Sequence, residues 1–202
     1  MNPSKLIRCP EFPCRDVDTR VFTVPNVELD PSRIRIFMIA EAPPANAQDY
    51  FYASGKPFYL ETTLKAFTDA GCHVASMRDI IERGVYLTTA VKCGKTGYSV
   101  SSPTVDTCSK LVLEKELALF PNLRGYLLMG DLAIKGFNYI AARATGKRVI
   151  PTGSTYKIRK GTYYYRDLRV YPSYLITGKS YLIEKSKQKM IAEDIKSALT
   201  LV

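Results

Sequence analysis

The sequence predicts an α/β fold: a three-layer α/β/α arrangement with a central, mostly parallel sheet of four strands. Three observations lead there. The apolar stretches 34–40 (IRIFMIA), 85–91 (VYLTTAV) and 126–129 (YLLM) have the length and the Val, Ile and Leu content of strands buried on both faces. The segments between them place apolar residues at helical spacing. Strand-like and helix-like segments alternate, and that βαβα rhythm belongs to parallel sheets packed between helices.

Residues 1–32 are rich in proline and charge and read as an irregular arm. After the first strand, 57–71 carries Phe58, Leu60, Leu64 and Phe67 near helical spacing, with Gly71 as the cap that ends the helix. A short helix over 76–83 leads into the second strand. The Gly- and Ser-rich segment GKTGYSVSSP reads as a surface loop. Pro103 then opens a helix whose apolar face is Val105, Leu111, Leu113, Leu117 and Phe120. Gly130 and Asp131 cap the helix that follows the third strand and runs to about 144. A fourth short strand is expected at 149–154, and a hairpin or sheet edge over 157–160 and 162–170. An amphipathic helix over 181–201 closes the chain, with Leu182, Met190, Ile191, Ile195 and Leu199 turned inward.

With 202 residues, 46% of them hydrophobic, the chain suits one domain over 1–202. Its net charge of +10 makes a polyanion, with nucleic acid foremost, the expected partner. No stretch approaches the roughly 20 apolar residues that cross a bilayer. The start, MNPSKLIRCPEF, lacks the apolar core of a signal peptide, so the expected location is cytoplasmic. In that compartment the five cysteines are thiols or metal ligands rather than disulfides. The strings Gly94-Lys95-Thr96 and Gly178-Lys179-Ser180 resemble the end of a phosphate-binding loop. The first glycine of that motif is replaced by Thr89 in one and Ser173 in the other, which argues against an ATPase.

The stretch 33–58 carries the chemistry. Its apolar run stops at Glu41-Ala42-Pro43-Pro44, which delivers Glu41 to the carboxyl end of a strand, where ligands bind in open α/β sheets. In order along the chain, EAP, GKPF (55–58), YLTTAVKC (86–93) and YPSYL (171–175) resemble the uracil-DNA glycosylase superfamily. They are most like its iron–sulfur family 4 branch, whose pattern runs GEAPG, GRPF, TNVVKC and HPSYL. The resemblance extends from Cys9 to the last helix.

The resemblance implies a DNA glycosylase in base-excision repair, a monomer that flips a deaminated base out of the stack and hydrolyses its N-glycosidic bond. Such a reaction builds positive charge on the sugar and negative charge on the base, so it needs a carboxylate near the first and donors near the second. On this reading Glu41 orients or activates water, Phe58 stacks on the base and the backbone of Ala42 reads its edge. Thr89 stands where the family has Asn, and a hydroxyl does not reproduce the paired donor and acceptor of an amide. Tyr171 stands where the family has His; it can donate to a developing oxyanion but carries no imidazolium charge. Pro172, Ser173, Lys92, Lys179 and Ser180 are the expected DNA contacts. His73, the only histidine, matches no catalytic position and reads as structural.

Cys9 and Cys14 are separated by four residues, Cys93 and Cys108 by fourteen. Together they resemble the family's ligands of a structural [4Fe-4S] cluster, with zinc or plain thiols as alternatives. The changes at Thr89 and Tyr171 leave a second function open: a non-catalytic nucleic-acid-binding protein of the same fold.

Overall fold

The computed structural model of the chain describes all residues except Gly178 and, among side chains, those of Lys179 and Ser180. The phosphate contacts expected of Lys179 and Ser180 therefore fall outside the described residues. From the N-terminus the elements are α1 (Pro3–Leu6), β1 (Val17–Asp18), β2 (Ile36–Ala40), α2 (Phe58–Asp69), α3 (Met77–Glu82), β3 (Val85–Thr89) and β4 (Gly94–Lys95). Next come α4 (Ser102–Cys108), a π-helical turn (Ser109–Leu113), α5 (Glu114–Leu117), β5 (Gly125–Met129) and α6 (Asp131–Thr145). The chain closes with α7 (Thr155–Ile158), β6 (Tyr163–Tyr165), β7 (Leu168–Ser173), α8 (Lys179–Ile183) and α9 (Lys185–Leu199).

The central sheet has five strands in the order β3-β2-β5-β7-β6. The first four are parallel and β6 runs antiparallel at the edge. Along β2, Ile36, Met38 and Ala40 face a cluster with Phe67 of α2 and with Ile191 and Ile195 of α9. Phe37 and Ile39 face the opposite cluster, with Phe137 and Ile140 of α6 and with Phe120. This is the two-residue alternation of a strand. Because both faces are covered, it reads in sequence as one apolar run. Three layers result, with the site at the edge where the parallel strands end. Ala40 lies opposite Thr89, Ile39 opposite Leu128, and Met129 opposite Ser173, so Glu41, Gly130 and Tyr174 leave the sheet at one level.

The sheet departs from the expected four strands. The stretch 149–154 is irregular, broken by Pro151 and Gly153, and the fourth parallel strand is β7. Its hairpin with β6 turns at Arg166 and Asp167, both left-handed at φ 49° and 65°. That is the two-residue turn whose twist matches the flanking strands. Residues 157–160 join the short α7 and its following turn instead of an edge strand. The last helix is interrupted at Glu184, which leaves Leu182 48% exposed and not inward.

The arm has little regular structure but is well tied down. The amino group of Met1 donates to the Leu29 carbonyl at 2.6 Å, and Thr23 N–H donates to the Lys92 carbonyl at 2.8 Å. The strand β1 pairs with β4, and Ile7, Val17 and Val24 complete a third apolar cluster with Val91, Val105 and Val112. Among the described residues no helix is long and apolar enough to cross a membrane.

Candidate active site

Glu41 follows β2 directly, and its backbone is fixed by Val91 N–H donating to the Glu41 carbonyl at 3.0 Å. The side chain crosses to the next strand's exit. Oε1 accepts from the backbone N–H of Leu132 at 3.2 Å, in the first turn of α6, where the helix dipole favours a negative charge. Oε2 accepts from Lys95 Nζ at 3.1 Å. Gly130 makes this crossing possible. Its φ is +101°, and a Cβ there would stand 2.8 Å from Glu41 Oε1. The sequence puts glycine where a side chain would collide with the carboxylate.

Glu41 is tied up in an ion pair and also faces solvent. It lines an open cleft of about 670 Å³ at the strand ends, bordered by Tyr59, Tyr98, Tyr174 and Tyr181. Burial pushes the Tyr59 phenol above its ordinary value, with the charge of Glu41 adding and Thr177 opposing. At neutral pH Tyr59 is therefore a proton-bearing donor beside the carboxylate. Tyr98 projects fully into solvent at the rim, and Lys187 sits 5.4 Å over the Tyr174 ring.

Several residues expected in the site are elsewhere. Phe58 begins α2 half-buried, and its neighbour Tyr59 lines the cleft instead. Tyr171 lies within β7, opposite Leu127 and three residues short of Tyr174. It packs beside the core, with the Arg169 guanidinium 4.9 Å over its ring. Pro172 and Ser173 are buried, not DNA-facing. The Ser173 hydroxyl donates to Asp194 at 2.6 Å. Ala42 packs into the apolar cluster under the arm. Thr89 is fully buried with no hydrogen bond to its hydroxyl. It lies beside the Tyr50 phenol, which burial and the charge of Glu116 push up against the opposing effect of Thr23 and Thr89.

Lys92 is the largest correction. It is fully buried, with Nζ 2.5 Å from Glu116 Oε2, and it donates to Thr88 Oγ1 and the Thr89 carbonyl, each at 2.5 Å. Glu116 Oε1 accepts from the Tyr86 hydroxyl at 2.6 Å and from Thr88 Oγ1 at 3.0 Å. A charge so deep has no access to DNA phosphates. It joins the exit of β3 to α5.

Cys9, Cys14, Cys93 and Cys108 do converge. They line one small enclosed cavity whose other walls include Phe12, Val17, Phe22 and Val112. Burial, and then the neighbouring thiols Cys108, Cys14 and Cys9, push Cys93 up to about 12. Burial pushes Cys108 to about 11 against the opposing charge and N–H of Lys92. Four thiols around an apolar hollow fit a thiolate-ligated cluster, whose metal charge would offset the cost of deprotonating them. Among the described residues no three His, Cys, Asp or Glu side chains are set to hold a single metal ion. Cys72 is buried apart from this group, in the core under α2.

No protein-family model matches the chain, and no curated protein matches it in sequence. Of the cleft residues, sequence reasoning finds Glu41, includes Tyr174 only as the end of the YPSYL loop with no role of its own, and misses Tyr59. Both stand beside a residue chosen from a motif, and only strand register and helix phase show which neighbour reaches the cleft.

Proposed function

We propose that the chain is a DNA glycosylase-like protein of the uracil-DNA glycosylase type, which takes an extruded, deaminated base into the tyrosine-lined cleft and hydrolyses its N-glycosidic bond. One observation carries this reading: a carboxylate at the carboxyl ends of parallel strands, on an open cleft bordered by aromatic rings. Glu41 would hold water against the sugar carbon, and the Tyr59 phenol would donate toward the charge that develops on the departing base. Tyr174 or Tyr98 offers the stacking face that Phe58 does not. The net charge of +10 supports DNA as the partner. Cys9, Cys14, Cys93 and Cys108 would hold a [4Fe-4S] cluster, which when bound would tie the arm to the exit of β3.

A second reading keeps the fold and the partner but not the chemistry. It is favoured by Glu41 itself, since both of its oxygens are engaged, by Leu132 N–H and by Lys95. Single-turnover assays on oligonucleotides carrying uracil, hypoxanthine or xanthine separate the two. Excision of at least one lesion is expected. Glu41→Gln should lower that rate by at least about 100-fold, the low end of what a positioned base contributes, while DNA affinity stays within about twofold. DNA binding with no excision across the panel establishes the second reading. Undiminished excision by Glu41→Gln removes Glu41 from the mechanism.

A further inference from the structure

The cleft does not end at Asp131. On its far side an open groove of about 460 Å³ follows α6, walled by Lys135, Asn138 and Tyr139 and by Arg148, Thr152 and Gly153 of the loop after the helix. Asp131 borders both hollows.

Their charges differ. Among the described residues, the cleft is lined by the carboxylates of Glu41, Asp131 and Glu184 together with Lys95 and Lys187. In the groove, Lys135 and Arg148 face only Asp131. Nor are these two cations consumed by the fold. Further along α6, Arg143 is locked to Asp106 at 2.8 Å and Glu114 at 3.2 Å. Lys135 has no acidic partner among the described residues; its Nζ donates to Ser102 Oγ at 3.1 Å. Arg148 is exposed and likewise without an acidic partner among the described residues.

The wall that carries Arg148 is held in place. Asn138 Oδ1 accepts from the N–H groups of Val149 and Ile150 at 3.0 and 2.9 Å, and its Nδ2 donates to the Ile150 carbonyl at 2.8 Å. The loop next to Arg148 is thus fixed to α6 by Asn138. A strand whose neutral base enters the cleft beside Glu41 and Asp131 would keep its phosphates away from those carboxylates. The adjoining basic groove is the nearest place for them.

We infer that this groove carries the sugar–phosphate backbone of the DNA strand whose base enters the cleft. The inference rests on the function proposed above. The test is binding of the full chain to a lesion-free, fluorescently labelled single-stranded oligonucleotide, read by anisotropy over a range of salt concentrations. Each phosphate contact on a single strand contributes about 0.7 to the slope of log K against log salt, so Lys135→Gln/Arg148→Gln should lower that slope by about 1.4. Lys185→Gln/Lys189→Gln, on the exposed side of α9, should leave it unchanged.

Both variants should melt like the native chain, since all four side chains lie at the surface. An unchanged slope in the first variant, with native binding intact, overturns the groove and leaves the proposed function standing. Equal losses in both variants overturn it too, in favour of diffuse attraction. Native protein that binds poly-glutamate through Lys135 and Arg148 but does not bind DNA overturns both readings.

Discussion

Two Lys–Glu pairs flank the exit of β3, and their lysines are three residues apart. Lys95 meets Glu41 at 3.1 Å with side chains 20% and 14% exposed. Lys92 meets Glu116 at 2.5 Å with both at 0%. At the rim, water competes with the pair and the carboxylate can exchange partners, which the proposed role of Glu41 requires. Inside, removing either partner strands a charge away from water with only neutral hydrogen-bond partners left. The same two residue types thus form a solvent-reached pair and a fixed joint, and depth separates the two; on the proposed function the outer pair holds the reacting carboxylate.

The comparison can be broken most directly at the inner pair. Glu116→Ala should cost about 3–5 kcal/mol in urea unfolding, and the double variant Lys92→Met/Glu116→Leu should recover most of that. A loss below about 1 kcal/mol, the range of exposed pairs, would mean that the inner pair behaves like the outer one. Next in size is Gly130→Ala, which needs a left-handed backbone and puts its Cβ against Glu41. A cost of about 1–3 kcal/mol is expected, with loss of any excision as Glu41 is displaced; an unchanged melting temperature would deny the close approach.

Asp194 gives a case between the two pairs, since it and its partner Arg159 are 10% and 9% exposed. Burial raises its carboxyl above the ordinary 3.8, with Arg159 and Ser173 opposing. The folded state therefore holds the proton more tightly than the unfolded one. This contribution favours the fold below pH 3.8 and fades as pH rises through the folded value. The stability of the native chain relative to Asp194→Asn should fall over that window in denaturation series at stepped pH; a rise would show that Arg159 dominates over burial. Smallest is Lys95→Gln, expected to cost at most about 1 kcal/mol. Its effect should shrink further in high salt, whereas that of Glu116→Ala should not.

The three apolar strands and the helices α2, α6 and α9 were legible because burial on both faces of a sheet, or on one stripe of a helix, leaves a periodic trace. Residues 149–154 misled because a short apolar stretch beside Pro and Gly has no period long enough to separate a strand from a loop. The convergence of Cys9, Cys14, Cys93 and Cys108 came from a family pattern and not from spacing. Lys92, at a strand exit inside the YLTTAVKC motif, reads in sequence as a DNA contact, although a lysine can be buried when it is paired. Its partner lies on a different element, which nothing local reveals. The only hint was its setting, between Ala90 and Val91 on one side and Cys93 on the other. Tyr171 failed through register: the motif named the turn, but the strand continues through it to Ser173.

The π-helical turn at Ser109–Leu113 decides which way α5 points. A π turn widens the helix by about one residue, and one residue on an α-helix is about 100° of rotation. Without that insertion the carboxylate of Glu116 would swing a quarter of the way around its axis, off Lys92 and toward another side of the bundle. Cys108 lies just before the irregularity and Glu116 just after it. In a uniform helix Cys108 and Glu116, eight positions apart, would point about 80° away from each other, and the extra residue brings them to within about 20°. One continuous rod thus turns both a sulfur and an acid toward Lys92.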